Sequence, residues 1–133
     1  MGNKSKKILS EISVGELLDK ISILEIKIEK IKNKNDKEEI KKEYEILKNI
    51  ENSTVELTSK VKDLFKLLKE VNTNLWDVED KLRICEKNKD FGKNFIQLAR
   101  EVYFNNDKRS KIKSEINELL GSNIKEVKQY VNY

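Results

Sequence analysis

The chain has 133 residues, of which 39% are charged and 37% hydrophobic, with 28 basic against 24 acidic residues, four glycines and no proline. This composition is typical of long helices in one domain of ordinary size, and it excludes sandwiches and barrels. With no histidine and a single cysteine, Cys85, the chain has no Ser-His-Asp triad, no His-ligated or multi-cysteine zinc site and no internal disulfide.

The first predicted helix begins at Ser13, which together with Glu16 three residues later matches the pattern of a capping box. The pattern fades at residues 33–35, so the helix is predicted to end there. Residues 1–12 precede the cap and are interpreted as a short N-terminal arm. Apolar residues recur at spacings of four and three, as on the core-facing side of a helix, at Leu17, Ile21, Leu24, Ile28 and Ile31.

A second helix is predicted over about residues 37–51, with Asp36 and Glu39 as its cap. A polar stretch follows between Leu47 and Val61, and it favours a break before the next helix. The alternative is one fused helix, because the apolar register continues across this stretch.

The third predicted helix is the longest and spans residues 54–88, with Ser53 and Glu56 as a capping box. Its length and its unbroken apolar seam indicate a long helical hairpin at the centre of the fold. The residues of this seam keep strict spacings of four and three: Val61, Leu64, Leu68, Val71, Leu75, Val78, Leu82 and Cys85.

The fourth helix is predicted over residues 91–120, ending before Gly121, because glycine is typical just past a helix end. Ser122 or Asn123 is then expected to cap a short last helix that ends near Tyr130.

These elements predict an all-α fold, an antiparallel bundle of about 4–5 helices with a long central helical hairpin. One helical domain is expected over residues 1–133, with residues 121–133 as a short C-terminal helix or tail. Because the hairpin is longer than the other helices, part of it is expected to protrude or to pair with a second copy.

A polar stripe that contains the only tryptophan runs beside the seam of the third helix. Its residues, at the same spacings, are Asn72, Trp76, Glu79, Arg83 and Glu86. The chain has only three arginines, Arg83, Arg100 and Arg109, and all lie within 27 consecutive residues. In so lysine-rich a chain, each arginine marks a place where the planar guanidinium matters, because it pairs bidentately with carboxylates or phosphates.

Both apolar registers of the fourth helix pass through Arg109, so its guanidinium is predicted to be largely buried and bonded to an acid, with Glu79 or Glu86 favoured. One interpretation is an ion pair that merely fixes helix register. Another is a simple break of the fourth helix at residues 105–107, with Asp107 capping a new helix.

A functional interpretation is an anion-binding cleft between the third and fourth helices, walled by Trp76 and Tyr103. The candidate ligand-binding residues are Asn72, Trp76, Glu79, Arg83, Arg100, Asn106, Asp107, Arg109 and Lys113. No catalytic residue, metal site or cofactor is predicted.

Three segments resemble an uncharacterised family, a domain of unknown function found in small all-helical proteins of bacteria and their phages. They read ISVGELLDKISILEIK from Ile12, LWDVEDKLR from Leu75 and FIQLAREVYFNNDKRSKIKSEIN from Phe95. Related segments occur beside or within proteins of sugar-transfer and tetratricopeptide-repeat type, so the resemblance implies a glycan-related or assembly context and supplies no activity.

The favoured function is therefore a non-enzymatic helical interaction or assembly module, which self-associates along the long hairpin as a homodimer or binds a protein partner. The alternative is a protein or enzyme that binds a phosphorylated or carboxylated small molecule in the arginine-lined cleft. The interleaved charges do not favour nucleic acid as a partner. The start of the chain lacks a signal peptide and a myristoylation pattern and no stretch could span a membrane, so a cytoplasmic location is expected.

Overall fold

The computed structural model describes residues 6–133, and within that range the chain folds into four α-helices and no strand. The helices are α1 (Val14–Lys30), α2 (Lys34–Thr54), α3 (Ser59–Lys87) and α4 (Lys93–Leu120). The predicted all-α helical bundle is confirmed. Residues 1–5, which include part of the predicted arm and the start interpreted as free of targeting patterns, lie outside the described residues.

α1 begins where the capping pattern predicts. The hydroxyl of Ser13 accepts a hydrogen bond from the backbone N–H of Glu16 at 3.1 Å. α2 begins three residues earlier than predicted, because the amide oxygen of Asn33 accepts a bond from the N–H of Asp36 at 3.0 Å and so provides the cap. Asp36 lies inside the first turn, where its negative charge complements the helix dipole.

The predicted break between the second and third helices is confirmed, so the fused alternative is wrong. α2 runs on to Thr54, and α3 begins only after Thr58, whose hydroxyl accepts a bond from the N–H of Val61 at 3.3 Å. The proposed cap at Ser53 was misplaced. Its hydroxyl donates to the carbonyl of Ile50 at 3.1 Å, a bond typical of serine within a helix.

α4 is continuous through residues 105–107, so the alternative of a break there is wrong. The amide of Asn105 donates to the carbonyl of Glu101, one turn earlier, at 2.8 Å, and the polar run is accommodated within the helix. The helix ends as predicted at Gly121, whose φ of 62° is left-handed and favours glycine.

The predicted short helix after Ser122 does not form, and the chain from there to Tyr133 contains no helix. The hydroxyl of Ser122 accepts a bond from the N–H of Val14 at 3.1 Å, at the start of α1. Because this hydroxyl is committed to another helix, it does not cap a new one. The tail folds back along α4, with Glu126 beside Lys113 at 3.4 Å.

The main core surrounds α1, which packs on each of the other three helices, whereas α2 packs on α1. The second half of the hairpin has a small core of its own, where Val78 and Cys85 of α3 meet Leu98 of α4. The buried residues of the main core are Leu17, Leu18, Ile21, Val61, Leu64, Leu68 and Ile116.

The hairpin extends past the end of α1. Lys30, the last residue of α1, has its ammonium 3.9 Å from the carboxylate of Asp77. The stretch of α3 from Val78 to Lys87 lies beyond this level and adds about 15 Å at ~1.5 Å per residue. The apolar seam of α3 is thus covered within the chain, by α1 along its first half and by α4 along its second. None of the four described helices combines the length and apolarity that a membrane span requires.

Candidate functional site

A buried carboxylate lies at the junction of three helices. Asp19 of α1 has no exposed surface, and its Oδ1 accepts bonds from Nε of Arg109 at 2.9 Å and from the amide of Asn72 at 2.8 Å. Nη2 of Arg109 bonds the second carboxylate oxygen, which completes a bidentate pair. The amide of Asn72 also donates to the hydroxyl of Ser22 at 2.8 Å. These bonds join α1 to both helices of the hairpin, α3 and α4.

One turn along α4, a second cation extends the same network. The ammonium of Lys113 lies 2.7 Å from the carboxylate of Glu16, 3.4 Å from that of Glu126 and 3.7 Å from that of Asp19. We call the group Glu16, Asp19, Asn72, Arg109 and Lys113 the ion cluster.

The pKa values of the central pair follow from these contacts. Burial alone would raise the pKa of Asp19, but hydrogen bonds from Arg109 and Asn72 and the charges of Arg109 and Lys113 together lower it below its ordinary range. The bond to Asp19 raises the pKa of Arg109. Asp19 and Arg109 are therefore both ionised at neutral pH.

α1 approaches α4 closely because position 15 has no side chain. A Cβ on Gly15 would lie 2.7 Å from the backbone oxygen of Lys113 and 2.9 Å from the amide oxygen of Asn117. That amide oxygen accepts a bond from the N–H of Gly15 at 2.7 Å. Together with the bond from Val14 to Ser122, it anchors the first turn of α1 on the end of α4.

A cavity of about 370 Å³ opens beside the ion cluster. Its charged lining consists of three carboxylates and three cations, and the carboxylate of Asp19 lies beneath them. Because carboxylates outnumber cations, the charge balance does not favour an added anion. The charged lining residues are Glu16, Asp107, Glu126, Arg109, Lys113 and Lys128.

Of the predicted ligand-binding residues, the structure brings together Asn72, Arg109 and Lys113, with Asn106 and Asp107 lining the adjacent cavity. The predicted bond from Arg109 to an acid is confirmed, with 29% of the arginine side chain exposed. The favoured partners, Glu79 and Glu86, were wrong.

The remaining candidates lie elsewhere. Arg83 pairs with Glu79 one turn away on its own helix, and 72% of its side chain is exposed. Arg100 lies over the ring of Phe104 at 5.5 Å, and Trp76 does not line the cavity beside the ion cluster. Tyr103 is 44% exposed and packs on the tail residue Tyr133. The three arginines thus do not line one cleft, and Arg109 pairs with Asp19 of α1.

Asp19 was not among the predicted site residues, because the apolar stripe predicted for α1 follows positions on the opposite side of the helix. A second stripe was present at the same spacings, made of Gly15, Asp19, Ser22 and Ile26, and all four residues are buried. Small residues at such positions indicate close helix packing. A charged residue among them indicates a buried ion pair.

An apolar surface lies at the end of the molecule where the arm meets α2. Ile8 and Leu9 of the arm are 90% and 93% exposed, and Ile46 and Ile50 of α2 are 53% and 43% exposed. A groove of about 530 Å³ runs between the arm and α2, with the apolar residues Leu17, Leu47 and Val55 in its wall. We call Ile8, Leu9, Ile12, Ile46 and Ile50, with this groove, the arm face.

The two sides of the arm face carry opposite charge. The described part of the arm begins with Lys6 and Lys7. Residues 43–54 of α2 carry three acids and one lysine, and that lysine, Lys48, is bonded to Glu51 at 2.6 Å. Glu43 and Glu45 give this stretch of α2 a negative character.

The arm is anchored at its base and projects beyond it. The carboxylate of Glu11 accepts a bond from the amide of Asn123 at 2.7 Å, and Ser13 is buried. The ion cluster and the first turn of α1 thus fix where the arm leaves the bundle.

Comparison with known proteins places this chain in a family without an assigned activity. No curated protein and no solved structure matches it. The model of a family of unknown function, DUF6165, matches residues 8–133 and so covers both the arm face and the ion cluster. The chain belongs to this DUF6165 family.

Proposed function

We propose that this chain is a non-enzymatic helical interaction module that binds its partner through the arm face. The observation that supports this function is the exposure of Ile8 and Leu9, at 90% and 93%, beside an apolar groove. Single exposed apolar residues are ordinary, but a contiguous apolar patch on a soluble domain is typical of a protein-binding surface.

The ion cluster serves this function as a positioning device. The bidentate pair between Asp19 and Arg109 sets the register of α1 on α4, and the bonds around Gly15 hold the first turn of α1. A segment that is oriented before binding loses less conformational freedom when it binds.

Photo-crosslinking tests the location of the binding surface. Benzoylphenylalanine replaces Ile46 on the arm face in one variant and Ile84 in the matched control, because Ile84 is similarly exposed, at 57%, on the hairpin. We expect discrete crosslinked species from position 46, in purified protein or in cell extract, and none from position 84. Crosslinks from position 84 alone would place the interaction on the hairpin, and an absence of crosslinks from both positions would contradict an interaction module.

A further inference from the structure

The partner of the arm face can be identified from its shape and charge. We propose that it is a second copy of this chain, and that two copies exchange their arms across a two-fold axis, each arm lying on α2 of the other copy. This inference rests on the proposed function and names its partner.

The arm face is self-complementary. A two-fold interface requires that one surface carry both halves of the contact. Here an extended apolar segment with Ile8 and Leu9 and an apolar helix face with Ile46 and Ile50 border the same groove. A two-fold axis through this groove places each arm against the α2 face of the other copy.

The arm does not bury its own apolar residues within one copy. Ile8 and Leu9 line the groove yet remain at least 90% exposed, while Glu11 and Ser13 are held at the base. The segment from Lys6 to Ser10 could reach about 16 Å if fully extended, at ~3.3 Å per residue. That is enough to cross onto a neighbouring copy.

The two sides of the arm face also match in charge. In the exchanged arrangement, Lys6 and Lys7 of one copy approach the stretch of α2 that carries Glu43 and Glu45 in the other. Opposite charges around an apolar centre fix the orientation of an interface and disfavour wrong pairings. The same complementarity occurs twice, once on each side of the axis.

Light scattering of the purified chain tests the dimer. We expect a mass of about 31 kDa at ~100 µM, twice the 15.7 kDa of one chain, with a shift toward the monomer on dilution. A clean monomer at the higher concentration would overturn the inference.

Charge reversal tests the exchange itself. The double variant Lys6→Glu and Lys7→Glu is expected to raise the dimer dissociation constant about tenfold or more, because it places like charges together. The double variant Glu43→Lys and Glu45→Lys is expected to have the same effect for the same reason. All four substitutions in one chain should restore affinity to within about threefold of the parent. These residues are on the surface, so circular dichroism should show the same helix content in each variant.

The outcomes separate this inference from the proposed function. A dimer dissociation constant that is unchanged by these charge substitutions would overturn arm exchange. A monomeric chain that still gives a discrete crosslink from position 46 to another protein would overturn the second copy as partner and leave the interaction module standing. A monomer without any crosslink would overturn both.

Discussion

The buried carboxylate of Asp19 is the centre of the polar network that joins α1, α3 and α4. Asp19 is fully buried and bonded by both Arg109 and Asn72, and no buried side-chain polar atom among the described residues lacks a partner. Fully satisfied networks of this kind specify one arrangement of the helices, because any shift leaves a charge without compensation.

Arg109→Ala should lower the free energy of unfolding by about 3–5 kcal/mol, because it leaves the buried Asp19 carboxylate without its partner. The matched control is Arg83→Ala, since Arg83 is exposed and pairs only within its own helix, and its effect should stay within about 0.5 kcal/mol. Urea unfolding of both variants provides the comparison. Equal stability of the two would place Arg109 in solvent.

Arg109→Lys should fall between these limits. An ammonium keeps the positive charge near Asp19 but cannot reproduce the bidentate contact made by Nε and Nη2. We expect a loss of about 1–3 kcal/mol in the same unfolding experiment. A loss as large as that of the alanine variant would mean that geometry alone, and not charge, holds the pair.

The dependence of stability on pH should also trace to Asp19. Its pKa is lowered in the folded state, so the ion pair contributes stability above the unfolded pKa of about 3.9 and loses it as the pH falls through the folded value. Asp19→Asn removes this contribution. The difference in unfolding free energy between parent and variant should be large at pH 7 and should shrink as the pH falls below about 4. A difference that stays constant down to pH 2 would contradict the assignment.

At the scale of helices, local sequence patterns predicted most of the fold. The start of α1 at Ser13, the break between α2 and α3, and the end of α4 at Gly121 each follow from bonds within a few residues of the boundary. The predicted short last helix does not form, because a contact between residues distant in the chain determines the structure there. The hydroxyl of Ser122 bonds Val14, 108 residues away, and no local pattern contains that contact.

The same distinction explains the ion cluster. Periodicity within α4 was enough to direct Arg109 inward, but the choice of its partner depended on how α1 packs. Asp19 is 90 residues from Arg109 in the chain. It lies in the stripe that contains Gly15 and Ser22, and the role of this stripe becomes clear only when α1 packs on α4. The sequence thus predicts that this arginine bonds an acid, whereas the tertiary structure determines which acid.

Gly15→Ala tests the close approach of α1 and α4. Alanine ordinarily stabilises a helix relative to glycine by about 1 kcal/mol, but here its Cβ would lie 2.7 Å from a backbone oxygen. We expect a net loss of about 1–3 kcal/mol, because the helices must separate. Gly92→Ala is the control for added bulk, since its Cβ would meet only an ordinary contact at 3.4 Å, and the change at this N-cap of α4 should cost about 1 kcal/mol or less. Thermal unfolding in which both variants match the parent would show that the interface gives way easily.

At the scale of the whole molecule, the charge balance separates the two functions that the sequence left open. In the cavity beside the ion cluster each cation is paired with a carboxylate. When Asp19 is included, carboxylates outnumber cations. Inorganic phosphate or citrate should therefore leave the melting temperature unchanged, once matched for ionic strength with sodium chloride. A ligand at ~100 times its dissociation constant would add about 2.7 kcal/mol of stability. A clear rise with either anion would instead favour the small-molecule function.

The arm face, by contrast, combines an anchored segment with an apolar groove at one end of the bundle. Its position depends on the ion cluster through α1, so the polar interior would support the proposed binding surface. Substitution of Asp19 should therefore weaken binding as well as folding, whereas a change at the exposed hairpin residue Ile84 should affect neither.

A crosslinking comparison tests whether the arm face is the binding surface. Both variants carry benzoylphenylalanine in place of Ile46. One also carries Ile8→Ser and Leu9→Ser on the arm. The control carries Ile84→Ser and Ile96→Ser on the hairpin, and Ile96 is 55% exposed. The crosslinked yield should fall about tenfold with the arm substitutions, which corresponds to ~1.4 kcal/mol of binding energy, and stay at the parent level with the hairpin substitutions. Equal yields in the two combinations would contradict the account.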